Sequence, residues 1–104
     1  MDLVDAVIRE TKQLPRAEFD LRRQMRRAAV SIPTNIAEGY RRKKKRAAYQ
    51  NHVSIAYGSQ GELETEIEIA KRNSFMSHDS CQDLWVTCDR VGAMLYRLHE
   101  SLDG

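Results

Sequence analysis

The chain has 104 residues, 41% hydrophobic and 31% charged, with only two prolines and five glycines, a composition that fits one domain, 1–104, with a single core and excludes a disordered segment. Its net charge is only +2, but residues 1–46 hold 13 of the 17 basic side chains against six acids, a net of +7, and residues 47–104 hold four against nine, a net of −5. No run approaches the roughly 18 consecutive apolar residues of a membrane span, and Asp2 and Asp5 stand where a secretion signal would be basic, so the cytoplasm is expected and a membrane is not.

Apolar residues recur at helical spacing along the chain, and no alternation is long enough to compete as a strand. The first helix is expected from about Asp2 to Leu14, with Leu3, Val4, Val7, Ile8 and Leu14 apolar and Pro15 beyond it. The second is expected to start near Asp20, to turn Leu21, Met25, Ala28, Ile32 and Ile36 inward, and to end at Gly39 in the left-handed position that closes many helices. Pro33 lies inside it. Its missing N–H cannot bond to Ala29, and it disfavours helical angles at Ile32, so a kink or short break is expected there.

The third helix is expected from about Lys45 to Arg72, with Tyr49, Val53, Ala56, Leu63, Ile67 and Ala70 on one face and Asn73-Ser74 ending it. Gly58 and Gly61 fall inside it, at a cost of about 1 kcal/mol each relative to alanine, for which close approach of a neighbouring helix is the expected offset. The fourth runs from Ser77 as N-cap to Asp103, with Cys81, Leu84, Cys88, Val91, Leu95, Leu98 and Leu102 as its seam. At about 1.5 Å per residue it is about 39 Å long and holds its two cysteines about 10.5 Å apart, too far for a disulfide. They read as small apolar packers.

Short connections at 15–19, 40–44 and 73–76 favour an all-α, antiparallel up-down-up-down four-helix bundle, kinked at Pro33. The first helix is about half as long as its partners, so apolar surface on the third and fourth is expected to stay exposed. Such surface suggests a subunit interface and hence a homo-oligomer.

Two basic clusters carry the candidate chemistry. Arg41, Arg42, Lys43, Lys44, Lys45 and Arg46 form an unbroken run, and Arg22, Arg23, Arg26 and Arg27 precede them. These ten are the candidate nucleic-acid-binding residues for RNA or DNA, since phosphate neutralisation releases counterions, and Tyr40 and Tyr49 flank the run for base stacking. The competing reading is a solvated or inter-subunit face; positive charge at a helix start also opposes the helix dipole. Glu62, Glu64, Glu66 and Glu68 alternate and cannot share one face; Glu62 and Glu66 are expected to pair with the basic second helix, within or between subunits. Asn35 and Glu38 are expected partly inside, satisfying backbone groups freed at the proline.

No glutamate stands three residues before His52, His78 or His99, as a di-iron bundle requires. No phosphate-cradling glycine loop, nucleophile triad or metal spacing appears, so no catalytic residue, metal or cofactor is expected. A ribonuclease alternative rests on Arg72 and His78, spaced as in some helical-bundle nucleases; Arg46 and His52 share that spacing.

The segment Arg26-Arg27-Ala28-Ala29-Val30-Ser31-Ile32-Pro33-Thr34-Asn35-Ile36-Ala37-Glu38-Gly39, with Ile55-Ala56-Tyr57-Gly58-Ser59 and Glu62-Leu63-Glu64, resembles the bacterial four-helix-bundle family encoded in intervening sequences of large-subunit ribosomal RNA genes. The likeness covers nearly the whole chain. It implies a single up-down bundle that assembles into rings, typically pentameric, with Pro33, Asn35, Glu38, Gly39, Gly58 and Ser59 as structural motif residues. A related branch, the accessory variability proteins of diversity-generating retroelements, associates with a reverse transcriptase and binds nucleic acid. Family members usually carry a further stretch before the first helix, and a phenylalanine where this chain has His52, whose neutral ring is expected to pack. The resulting expectation is a non-catalytic oligomeric scaffold or binding module that engages nucleic acid through its basic surface. The alternative is a self-assembling or protein-partner scaffold that binds none.

Overall fold

The computed structural model describes residues 2–103. Four helices account for most of them: α1 (Asp2–Glu10), α2 (Phe19–Arg41), α3 (Arg46–Arg72) and α4 (His78–Ser101). Two 3-10 turns, Thr11–Gln13 and Arg16–Glu18, carry the chain from α1 into α2. The particle is a rod of 44 × 20 × 18 Å. Packing between α2 and α3 and between α3 and α4 is the most extensive, and α1 lies on α2 and α4.

The sequence periodicity maps directly onto the core. Leu3, Val7, Met25, Ile32, Val53, Leu63, Ile67, Leu84, Cys88 and Leu95 are all buried, each large aliphatic side chain contributing about 1.5–3 kcal/mol relative to exposure. Cross-helix contacts run in opposite orders along the partners. Gly39 meets His52 while Ser31 meets Ser59, and Gln60 meets Cys88 while Arg46 meets the carbonyl of Ser101. Both pairings are antiparallel.

Helix ends follow local chemistry. The side chain of Ser77 accepts from the Ser80 N–H at 3.1 Å, the N-cap expected of it. At the far end of α3, Phe75 N–H donates to Ala70 O at 2.9 Å and Ser74 N–H to Lys71 O at 3.1 Å, which is a Schellman closure. Its left-handed position is filled by Ser74, at φ 56°, where a glycine would be relaxed.

Three expectations are corrected. α1 stops at Glu10, and Leu14 is reached through a 3-10 turn, because Pro15 disfavours helical angles at the residue before it and Leu14 is extended, at ψ 139°. Of the kink or short break expected at Pro33, the break does not occur, since α2 is one helix from Phe19 to Arg41. It also runs past Gly39 to Arg41. Gly39 is therefore a buried point of helix contact rather than a terminator: a Cβ there would stand 2.9 Å from the His52 Cβ and 3.0 Å from the Tyr49 ring.

The glycines expected to admit a neighbour do the reverse. A Cβ on Gly58 or Gly61 would meet nothing within 4 Å among the described residues. The close approach between α3 and α4 lies instead at Gly92, against the side-chain amide of Gln60. That amide is buried and donates to Cys88 O at 3.1 Å.

These environments give opposite signs to similar substitutions. Gly39→Ala is expected to destabilise by about 1–3 kcal/mol through overpacking against α3. Gly58→Ala is expected to stabilise by up to about 1 kcal/mol through helix propensity, and Ser74→Gly by about 1 kcal/mol through relief of the left-handed backbone. Urea denaturation of the three variants beside the parent protein checks all three signs.

Candidate functional site

The basic run occupies one end of the rod. Arg41 closes α2, residues 42–45 form the turn, and Arg46 opens α3; all six side chains are exposed. Arg46 reaches across to the Ser101 carbonyl at 3.2 Å, so a cation faces the partially negative C-terminus of α4. Arg41 and Arg42 share Glu38, at 3.9 and 3.5 Å. These are exposed pairs that contribute little to stability, and they leave Glu38 attached to the basic run rather than to the backbone around Pro33.

Lys43 lies over the Tyr40 ring, 4.4 Å from its centroid, and bonds to its hydroxyl at 3.1 Å. Tyr40 also stands edge-on to the half-buried Tyr49, with centroids 6.4 Å apart. Only Tyr40 thus keeps an exposed ring beside the cations. Lys43, Lys44, Lys45 and Arg46 enter no ion pair among the described residues. Among the described residues no side chain caps the N-terminus of α3, and no acid lies in its first turn. Uncapped N–H groups and exposed cations without ion pairs are therefore neighbours in the turn and the first turn of α3, an arrangement that favours anions.

The second cluster is separate from this end. From Arg27 to Arg41 is fourteen helical residues, about 21 Å of rise, so the two basic groups sit at different levels of α2. The members of the second group also differ in availability. Arg26 is pinned, donating to Thr11 Oγ1 and to Ile8 O, both at 3.0 Å, and so clamps the end of α1 to α2. Arg23 pairs with Asp20 at 3.3 Å and covers the Phe19 ring. Arg22 is half-buried, while Arg27 is exposed. The ten candidates do not form one surface.

A polar seam joins α2 to α3. Asn35 donates its amide to Ser31 O at 2.9 Å and Ser31 Oγ at 3.1 Å. Ser59 Oγ donates to Ser31 Oγ at 2.8 Å. With the Asn35 nitrogen so engaged, its oxygen accepts from His52 Nδ1 at 3.1 Å, which assigns that proton to Nδ1. His52 thus does more than fill a phenylalanine's space. Asn35 serves this cross-helix network rather than the Ala29 carbonyl that Pro33 leaves without its donor.

The seam opens into a cleft of about 310 Å³ lined by Gln24, Arg27 and Ser31 of α2 and Ser59, Glu62 and Glu66 of α3. Neither Glu62 nor Glu66 pairs with the basic helix of its own chain: the five ion pairs among the described residues each join positions within four of one another in sequence. Glu66 keeps only 9% exposure, and its Oε1 has no hydrogen-bond partner. Burial, and then the charge of Glu62, push its carboxyl up to about 7. The sequence did carry a signal for this residue. Leu63, Glu66, Ile67 and Ala70 share one helical stripe, so an acid interrupts the apolar face.

Arg72 and His78 are both exposed, and Arg72 is held by Glu68 at 3.0 Å. His78 faces a groove with Glu68, Lys71 and Trp85 that does not include Arg72. The two cysteines are free and buried. No helix among the described residues is long and apolar enough to cross a membrane.

These features define a small four-helix bundle with a cationic end and a polar cleft. Residues 1–97 match the family model of 23S rRNA-intervening sequence proteins, and the chain belongs to that family. No curated protein matches it.

The Glu66 carboxyl supplies a pH test. An acid that holds its proton more tightly when folded stabilises the fold at low pH, and that contribution is lost as pH rises from the ordinary 4.5 through about 7. Glu66→Gln is expected to remove the loss. Thermal midpoints of variant and parent, measured between about pH 5 and 7, are expected to diverge in the variant's favour as pH rises.

Proposed function

We propose that this protein is a non-catalytic binding module that engages RNA through the turn joining α2 to α3. One observation carries the reading: Lys43, Lys44, Lys45 and Arg46 are exposed and free of ion pairs around the uncapped start of α3. Cations at a helix N-terminus oppose its dipole, so the arrangement is poor for the isolated chain. A phosphate there would accept from the free N–H groups and neutralise the cations together. The Tyr40 ring, 57% exposed beside them, offers a stacking face for an unpaired base once Lys43 turns from the ring to a phosphate. The family's description in terms of 23S rRNA favours RNA over DNA as the first probe.

The test is a titration of a single-stranded RNA at several salt concentrations. Replacing Lys43, Lys44 and Lys45 together by alanine is expected to flatten the plot of log affinity against log salt by about 2, near 0.7 for each phosphate no longer neutralised. Arg26→Gln is the control: it is expected to lower the thermal midpoint by releasing α1 and to leave the salt slope unchanged. Absence of binding at low salt, or an unchanged slope in the triple variant, overturns the proposal. Equal affinity for single-stranded DNA widens it from RNA to nucleic acid generally.

A second reading, self-assembly into a ring that the resemblance makes pentameric, is favoured by the exposed apolar side chains of α3 and α4. Tyr57, Trp85, Val86, Met94 and Tyr96 all lie at the surface, with Met94 at 55% exposure. Sedimentation that gives a monomer at micromolar concentration would eliminate it.

A further inference from the structure

The geometry points to a second binding site, in the α2/α3 cleft, for a small zwitterion: a primary ammonium or guanidinium group seated on Glu66 and Glu62, with the ligand's anionic group taken by Arg27. The site stands apart from the basic turn, since Arg27 and Arg41 are fourteen helical positions apart, about 21 Å of rise. Its occupant differs in kind from a nucleic acid, because the most buried charged group in the cleft is an acid.

Glu66 carries the inference. A buried polar atom without a partner costs free energy, and Glu66 Oε1 is such an atom, in a residue that keeps only 9% of its surface exposed. The chain offers it no cation among the described residues. Arg27 lines the same cleft yet pairs with neither carboxylate, and the opposite charges face each other across the space unneutralised. Both are therefore available to a ligand that brings the complementary pair. Glu62 supplies a second carboxylate to the same cation, and the charge of Glu62 already acts on Glu66.

The other walls suit the same ligand. Ser59 Oγ donates to Ser31 Oγ, and Ser31 is fixed in turn by Asn35, so two hydroxyls are set in place before anything binds. Gln24 adds an amide at the rim. At about 310 Å³ the cleft is at the small end of ligand pockets, which run from about 300 to 1,000 Å³. An amino acid with a basic side chain, or a molecule of that size and charge pattern, fits these limits.

The full chain can be titrated with L-arginine and with agmatine, which lacks the carboxylate, while backbone amide resonances are followed by NMR. L-Arginine is expected to bind saturably at millimolar concentration or below, shifting Ser31, Ser59 and Glu66 and leaving Lys43 to Lys45 unmoved. Glu66→Gln, which keeps the side chain's shape, is expected to weaken L-arginine about tenfold or more by removing a charge-assisted contact. Arg27→Gln is expected to abolish any preference for L-arginine over agmatine. The thermal midpoint of the Glu66→Gln variant, at least equal to the parent's, separates loss of the site from loss of the fold.

Three results overturn the assignment. One is no saturable shift, or an affinity unchanged in Glu66→Gln. Another is a Glu66 carboxyl that titrates in the ordinary range and rises in Arg27→Gln, which would mean that Arg27 already fills the seat. The third is movement of the same resonances with protein concentration alone, which would mean that a second copy supplies the cation.

Discussion

The antiparallel contact between α2 and α3 is the constraint on which the other features depend. Gly39 lets the two backbones meet near the turn, where a methyl group would collide with His52 and Tyr49. From there a line of polar side chains, His52, Asn35, Ser31 and Ser59, fixes the register along the seam. A two-helix unit held this way can dispense with a perfectly regular α2, because cross-helix contacts on both sides of Pro33 hold its course. Apolar packing alone would tolerate sliding; a hydrogen-bonded ladder with one buried close contact does not.

Once that register is set, the charges fall into place. The end of α2 and the start of α3 are brought together, and with them every cation of the 41–46 run. α4 ends at the same level, where its C-terminal carbonyl accepts from Arg46. Beyond the Ser31–Ser59 end of the seam the same register sets Arg27 on one wall of a cleft and Glu62 and Glu66 on the other. The +7 and −5 halves of the chain are thus only loosely separated in space. Their local meeting points, the turn and the cleft, matter more than the totals.

The four helices were legible because their apolar stripes are long and regular. Ser77 was legible as a cap and Asn73-Ser74 as a stop, since both act through neighbours in sequence. The glycines were not. A glycine followed by a basic run has the local look of a helix end, and only the position of His52, thirteen residues on, makes Gly39 a contact point. Gly58 and Gly61 misled in the opposite direction, because nothing local distinguishes an empty flank from a filled one. The basic run was legible as an exposed cationic turn by composition alone. In the second cluster, adjacency in sequence hid that Arg26 is engaged by Thr11 and Ile8. Glu66 could be placed on a helical face, but the missing partner was a property of α2 and not of its own neighbours.

Cys88 lies at the centre of the α3/α4 contact, its sulfur beside the Gln60 amide and its thiol pushed up to about 12, by burial above all. Cys81, one turn into the same helix, is buried and shifted in the same direction for the same first cause. A thiol so protected holds almost no thiolate near neutrality and is inert to alkylating reagents. Reaction then requires that α4 lift from α3, so the rate at which the native protein is labelled measures how often that contact opens. The chain therefore carries two intrinsic chemical clocks on α4, one near its beginning and one in its middle, which can tell fraying of the helix end from separation of the bundle.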